Sequence, residues 1–315
     1  MTGRTKAIAG AVVCLAQAAY LFPRLQGAAL TPLLITFAAL VLVPLLLDLL
    51  LAEDTTRLAG WILALQLPAG ILLATAQVIP RGAAATFAVL PWVALTSMLA
   101  VAGLTGLMLG RWRKSLGRGC DAIAMVFAGV GGLWVLADRT GVRPLNLDRE
   151  IVALTAVHFH YAGLILPVIT GFVIERNPTS RAAVMAAIGV ILGVPSVAIG
   201  IALAQIGWGP AFETAAGCGL ALAGMMVGFL QARLALEPFA AGRARVLLAV
   251  AGGSLFVAMF LALMQALGAS AIPVPRLDPG AMLVLYGLLD AVGFGLCGVL
   301  GWRCVLARRS GSGSS

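Results

Sequence analysis

Charge is scarce in this chain. Only 10% of its 315 residues are charged, whereas 61% are hydrophobic and the mean hydropathy is +1.05. This composition excludes the soluble globular classes and indicates a polytopic membrane protein. The net charge of +9 does not indicate nucleic-acid binding, because the basic residues lie in short segments between apolar runs, where they set orientation in the membrane.

Ligands for metals are equally rare. The chain has two histidines, and its five cysteines form no CxxC or other metal-type spacing, which favours packing roles for the thiols. We therefore expect no metal site and no cofactor. The cysteines are Cys14, Cys120, Cys218, Cys297 and Cys304.

Apolar runs of about 20 residues predict about ten membrane-spanning helices. The predicted spans are residues 7–22, 30–52, 58–79, 83–109, 120–137, 151–174, 182–206, 212–236, 244–268 and 281–307. The connections are short and no repeat is evident, so we expect an all-α transmembrane bundle forming one domain over residues 1–309. Residues 310–315, rich in serine and glycine, resemble a linker left from protein expression.

The basic residues predict the orientation of the bundle. With the N-terminus inside, the inner segments hold Arg4, Lys6, Arg57, Arg111, Arg113, Lys114, Arg118, Arg176, Arg181, Arg233, Arg243, Arg245, Arg303, Arg308 and Arg309. The outer loops hold Arg24, Arg81, Arg139, Arg143, Arg149 and Arg276. This asymmetry predicts that both termini are cytoplasmic.

Both histidines fall inside one span, in "LTAVHFHYAG" (154–163). A polar or ionisable group inside a membrane is costly and indicates function. His158 and His160 lie roughly 10–14 Å from the outer end of their helix at 1.5 Å per residue. Tyr286 and Asp290 lie at a similar depth in the last span, and a separation of four residues places them on one face.

Further polar residues lie near the outer side. Glu213 opens the eighth span, and three glutamines lie near the outer ends of other spans: Gln77, Gln205 and Gln265. We expect these groups and the histidines to converge in the outer half of the bundle. Scattered structural hydrogen bonds at wet helix ends are the alternative.

Asp48 is a further acidic residue of interest, whereas the acidic residues beside one outer loop have a simpler explanation. Asp48 lies at a helix C-terminus, where the macrodipole does not favour a carboxylate. Asp138, Asp148 and Glu150 lie in or beside an outer loop with three arginines. We expect a solvated ion network there.

Residues i and i+2 of an α-helix point to nearly opposite sides. His158 and His160 therefore cannot chelate one metal, and we expect one histidine to line a pocket while the other packs against a neighbouring helix. His158 and Tyr161 are expected to share a face. The string "HFHY" also resembles a motif of haem–copper oxidases, but the further histidines that those enzymes need are absent.

Two stretches resemble a known family. "EIVALTAVHFHYAGLILPVITG" (150–171) resembles the signature helix of YndJ-like bacterial membrane proteins, and "YGLLDAVGFGLCGVLGW" (286–302) resembles their final span. "ATFAVLPWVAL" (85–95) fits more loosely. The family pattern has histidine and asparagine where this chain has Tyr286 and Asp290, which adds a carboxylic acid. The resemblance implies a multi-pass protein of the bacterial plasma membrane.

Small polytopic proteins of this general kind act in actinobacteria as terpene cyclases on prenylated indoles and related meroterpenoids, an analogy that suggests the first function. A buried carboxylic acid would protonate a terminal alkene or epoxide of an apolar isoprenoid drawn from the bilayer. Asp290 is the first candidate acid and Glu213 the second, and His158 or His160 would accept the final proton. Aromatic residues that would stabilise the carbocation are Phe159, Tyr161, Trp208, Phe212, Tyr286 and Phe294. No DDxxD motif for diphosphate ionisation is present.

The alternative is a proton-coupled small-molecule transporter. Buried Asp and His residues serve as proton relays, and prolines inside spans allow broken helices. Those prolines are Pro44, Pro68, Pro91, Pro167 and Pro195. The lack of a detectable repeat counts against a transporter, and a sensor or assembly factor without catalysis is a third hypothesis.

Overall fold

The computed structural model describes residues 1–21, 30–52, 54–269 and 278–312, and every regular element within them is helical. Nine helices in this part of the chain are long and apolar enough to cross a membrane. They are Leu30–Leu50, Arg57–Val78, Ala83–Met108, Leu116–Thr140, Arg149–Arg176, Arg181–Gln205, Ala211–Leu234, Arg243–Gly268 and Gly280–Arg308. The all-helical membrane fold is confirmed. The orientation of the termini stays a prediction.

The first predicted span is also a helix. Helix α1 covers Gly3–Leu21, and residue 22, where the prediction ended, lies outside the described residues, as do Arg24 and Arg276 of the outer loops. Of residues 310–315, the last helix includes those up to Ser312, and 313–315 are not described.

Three of the long spans are not continuous α-helices. A π-helical segment divides each of them: π1 (Ala38–Leu42), π2 (Phe159–Ile165) and π3 (Leu289–Leu296). The α-helices that flank them are α2 (Leu30–Phe37), α3 (Val43–Leu50), α7 (Arg149–His158), α8 (Leu166–Arg176), α12 (Pro279–Leu288) and α13 (Cys297–Ser312). The remaining spans are α4 (Arg57–Val78), α5 (Ala83–Met108), α6 (Leu116–Thr140), α9 (Arg181–Gln205), α10 (Ala211–Leu234) and α11 (Arg243–Ala269).

A proline closely follows two of the three π segments. Pro44 follows the end of π1 by two residues, and Pro167 follows the end of π2 by the same distance. A proline has no N–H for the carbonyl four residues earlier and its ring crowds that carbonyl, so the preceding turn must widen or kink. The other three prolines noted in the sequence lie inside α-helices, so proline alone does not produce a π segment.

The chain divides into two compact units, which are described separately. Unit 1 comprises residues 1–112 and 121–165, and unit 2 comprises residues 113–120 and 166–315.

In unit 1, α1 packs closely on the span that contains π1. A Cβ at Gly3 would overlap the Pro44 carbonyl oxygen, and a Cβ at Gly10 would overlap the Leu40 carbonyl oxygen. Small residues allow this approach between membrane helices. The Gly3 N–H also donates to both carboxylate oxygens of Asp48, at 3.2 and 3.0 Å. Asp48 is therefore placed at the positive N-terminus of α1, which explains a carboxylate that its own helix disfavours.

The acidic residue Asp138 differs from the sequence expectation. It was expected in a solvated ion network, but its side chain is only 2% exposed. Its carboxylate accepts from Arg81 Nη2 at 2.8 Å and from Arg139 Nε at 2.7 Å, and the guanidinium of Arg139 is itself buried. Arg139 Nη1 donates to the Ala76 carbonyl oxygen at 3.2 Å. This buried network joins the ends of α4 and α6 to the start of α5.

In unit 2, glycines bring α10 and α11 together. A Cβ at Gly228 would lie 2.7 Å from the Gly252 carbonyl oxygen, and one at Gly252 would lie 2.6 Å from the Gly228 carbonyl oxygen. Gly224, one turn before Gly228, contacts Met259. The pair Gly224 and Gly228 has the GxxxG spacing that membrane helices use for close contact.

Candidate functional site

The π2 segment of unit 1 holds His160 in a fixed position. His160 is 1% exposed, and its Nδ1 lies 2.7 Å from the Ala156 carbonyl oxygen. Its Nε2 accepts a hydrogen bond from the indole N–H of Trp92 at 3.2 Å. A carbonyl can only accept, so Nδ1 carries the proton and the ring is the neutral Nδ1–H tautomer. Both ring nitrogens are satisfied, and His160 is therefore the histidine that packs against a neighbouring helix.

Close packing reinforces these hydrogen bonds. The Trp92 and His160 rings stack, with centroids 5.9 Å apart and an angle of 19° between their planes. On the α6 side, a Cβ at Gly131 would lie 3.1 Å from both Cε1 and Nδ1 of His160. Three helices therefore fix the imidazole: its own, α5 and α6.

The neighbouring predicted residues of this segment have different surroundings. His158 is half-buried and its ring meets that of Phe159 edge-on, with centroids 5.4 Å apart. Phe159 is buried and also contacts Phe127. Tyr161 is buried and its hydroxyl donates to the Leu34 carbonyl oxygen at 2.9 Å. The expected shared face of His158 and Tyr161 assumed a regular α-helix. The π2 segment begins at Phe159, and because a π turn holds more residues than an α turn, residues three apart complete less of a turn there.

In unit 2, the π3 segment carries the candidate acid. Asp290 is 8% exposed and forms a side-chain hydrogen bond with Tyr286, four residues earlier. The expected common face of this pair is thus observed. Oδ1 of Asp290 is buried and has no hydrogen-bond partner among the described residues. Phe294, four residues later in the same segment, is also buried, at 3% exposed.

Helix α11 approaches this segment closely. A Cβ at Gly293 would lie 2.6 Å from Cβ of Ser254 and would overlap its Oγ. Glycine is therefore needed at this point, and α11 forms one wall beside the residues that follow Asp290.

The remaining candidates lie on different elements of the two units. Glu213 lies at the start of α10, where its Cα would be 2.7 Å from a Cβ at Gly200. Trp208, in the connection before α10, is 77% exposed, and Phe212 is 49% exposed. Gln205 is exposed and Gln265 half-buried. Gln77 is buried, and neither of its amide atoms has a partner in the described part of unit 1. The predicted convergence of all these groups stays a prediction.

Trp92 is the residue that sequence reasoning missed. It lies in "ATFAVLPWVAL" (85–95), the stretch with the loosest family likeness, and an indole with a donor to satisfy inside an apolar span was the available signal. Within the described residues, no group of three or more His, Cys, Asp or Glu side chains is placed to hold a metal ion.

Comparison with known proteins gives one result. Residues 33–294 match the family described as YndJ-like protein, a range that includes both π2 and the Tyr286–Asp290–Phe294 series. No curated protein and no solved structure matches the chain.

Proposed function

The chain belongs to the YndJ-like family, and on that basis, together with the surroundings of Asp290, we propose that it is a membrane-bound terpene cyclase. Its substrate is an isoprenoid chain, such as that of a prenylated indole or related meroterpenoid, which enters from the bilayer. Asp290 starts cyclisation by protonating a terminal alkene or epoxide of that chain.

The observation that carries this proposal is the unpartnered Oδ1 of Asp290 inside a membrane span. A buried polar atom without a partner costs about 1–3 kcal/mol, and an ionisable residue at this depth indicates a functional site. An apolar environment disfavours the charged form of a carboxyl. The hydrogen bond with Tyr286 orients the Asp290 carboxyl, and in this proposal Oδ1 contacts the substrate.

The reaction balances without a cofactor. The O–H bond of Asp290 breaks as a C–H bond forms at the terminal alkene carbon, or as an O–H bond forms at the epoxide oxygen while its C–O bond to the tertiary carbon breaks. The resulting tertiary cation is attacked by the next alkene of the chain. Loss of a proton from the ring carbon skeleton ends the reaction, so the product is an isomer of the substrate. Tyr286 and Phe294 lie four residues before and after the acid in the sequence, and in this proposal their rings stabilise the cation.

The two histidines are unequal candidates for the final base. His160 already accepts from Trp92 at Nε2, so it would have to release that bond to take a proton. His158 is the other candidate for this step.

The test uses purified protein in detergent, without a gradient, and a prenylated indole that carries a terminal alkene or epoxide. With the alkene substrate in D₂O, conversion should place one deuterium at the carbon that is protonated first, which mass spectrometry detects. With the epoxide the deuteron goes to oxygen and exchanges, so only formation of the cyclic product is followed. Asp290→Asn should lower turnover by at least about 100-fold while gel filtration shows a folded protein. Asp148→Asn, which changes an exposed loop carboxylate, is the matched control. Full activity of Asp290→Asn would contradict the assignment of the acid.

The three π segments favour a second candidate, the proton-coupled transporter. Interrupted helices are common in transporters, and π segments often occur at functional sites. Proteoliposomes that take up a solute under a proton gradient, together with no conversion of any prenyl substrate, would support the transporter and exclude the cyclase.

A further inference from the structure

Unit 2 contains a second candidate site that does not include Asp290. It is an open cavity of about 420 Å³, within the range of small-molecule pockets. Its walls come from the start of α6 and the residues before it, the end of α8 and the middle of α13. The lining includes Lys114, Ser115, Phe172, Glu175, Arg176 and Trp302.

One wall of this cavity is a rigid aromatic stack. Trp302 lies between Phe172 and Phe239, with ring centroids 5.3 and 6.4 Å away and near-parallel planes. The guanidinium carbon of Arg176 lies 4.1 Å from the centroid of the Phe239 ring, a cation–π contact. The stack thus holds a fixed positive charge at the end of a membrane span.

The other polar residues leave the cavity with a net positive charge. Lys114 is exposed and brings a second cation. Glu175 is the acid of the lining, and its Oε1 accepts from the Ser115 hydroxyl at 3.1 Å. Gly117 packs against the same side chain, since a Cβ there would lie 2.7 Å from Glu175 Cγ. The two cations therefore outnumber an acid that is already hydrogen-bonded.

The position of the cavity, its basic side chains and its apolar wall together indicate the chemical class of the ligand. The cavity lies where spans end, on the side that the distribution of lysines and arginines predicts to be cytoplasmic. Basic pockets between membrane helices on that side bind phosphate headgroups, and the apolar wall of Phe172, Trp302 and Leu306 is suited to a hydrocarbon chain. We propose that this cavity binds a phosphate group carried on an apolar chain, as in an anionic glycerophospholipid or a prenyl monophosphate.

The experiment measures binding of radiolabelled farnesyl monophosphate to the full chain, delipidated in a neutral maltoside detergent. Competitors are dioctanoyl phosphatidylglycerol, inorganic phosphate and farnesol. We expect saturable binding of the radioligand. Farnesol lacks the phosphate and inorganic phosphate lacks the apolar chain, so each should displace the radioligand at least about 100-fold less well than unlabelled farnesyl monophosphate does. The better competitor of the two phosphate-bearing amphiphiles identifies the natural source of the ligand.

Variants locate the binding in this cavity. Lys114→Gln should weaken binding about fivefold, the effect of one basic residue near a phosphate headgroup, and Arg176→Gln should do at least as much, while Arg176→Lys retains part of the affinity. Arg57→Gln, in unit 1, removes an exposed charge from the same predicted face and should bind as the unmodified chain does. Equal binding by Lys114→Gln and Arg57→Gln, or equal competition by farnesol, would overturn the proposal. Binding that survives in Asp290→Asn separates this site from the proposed cyclase.

Discussion

The indole N–H of Trp92 donates to Nε2 of His160 across 68 positions of the sequence. This bond, with the one from Nδ1 to the Ala156 carbonyl, fixes the tautomer of a buried imidazole. The histidine is therefore part of the packing between α5 and π2, and we expect its replacement to lower the free energy of unfolding.

Trp92→Phe keeps an aromatic ring but removes the donor. Because Nε2 of His160 then has no partner in a buried site, we expect a loss of about 1–3 kcal/mol in the free energy of unfolding. Thermal unfolding of the protein in detergent measures this change. Trp61→Phe, at a tryptophan that is 60% exposed, should have little effect. Equal destabilisation by both variants would show that the hydrogen bond contributes nothing.

Gly131→Ala tests the contact between α6 and His160. The added Cβ would lie 3.1 Å from Nδ1 and Cε1 of the ring, and a ring bonded at both nitrogens cannot move aside freely. We expect a destabilisation of about 1–3 kcal/mol, although alanine is the better helix former by about 1 kcal/mol.

The matched control for this variant is Gly253→Ala. No atom lies within 4 Å of a Cβ built at Gly253, so only the helix propensity changes and the protein should become slightly more stable. Shifts of the same sign and size in both unfolding curves would contradict the close packing at Gly131.

Asp138→Asn tests the buried ion network of unit 1. The change leaves the buried guanidinium of Arg139 without its counter-charge, and removing one partner of a buried pair costs about 3–5 kcal/mol. Asp148→Asn breaks the exposed pair with Arg143 and should cost at most about 1 kcal/mol. Both values come from unfolding in detergent, and a smaller loss for Asp138→Asn than for Asp148→Asn would contradict the burial of the network.

Cysteine labelling tests the orientation of the chain. In a variant without the native cysteines, Asn146→Cys should react with a membrane-impermeant maleimide on intact cells, because it lies in a predicted outer loop. Lys114→Cys, on the predicted inner side, should react only after the membrane is opened. Both positions are exposed, so accessibility within the protein does not decide the result, and the reverse pattern would place the termini outside.

Hydropathy was sufficient to predict the spans, because a long apolar run has few alternatives to a membrane helix. It could not predict π1, π2 or π3. Pro44 and Pro167 follow π segments, but Pro68, Pro91 and Pro195 lie in helices that stay regular, so a proline in the sequence does not identify a π segment. The difference depends on tertiary neighbours such as Gly10 at Leu40. The hydrogen bond to His160 and the burial of Asp138 also depend on helices distant in sequence, so the residues next to His160 and Asp138 do not predict either.

Each π segment sets the rotational phase between the two halves of its span. A π turn amounts to one residue more than an α turn holds, so deleting one residue from π1 would restore α-helical bonding and rotate α3 against α2 by about 100°, one residue at 3.6 per turn. In π3 the same deletion at Gly295 would leave Tyr286 and Asp290 in place but turn Trp302 away from Phe172. A single extra residue in these spans thus decides which side chains face one another along half of a helix.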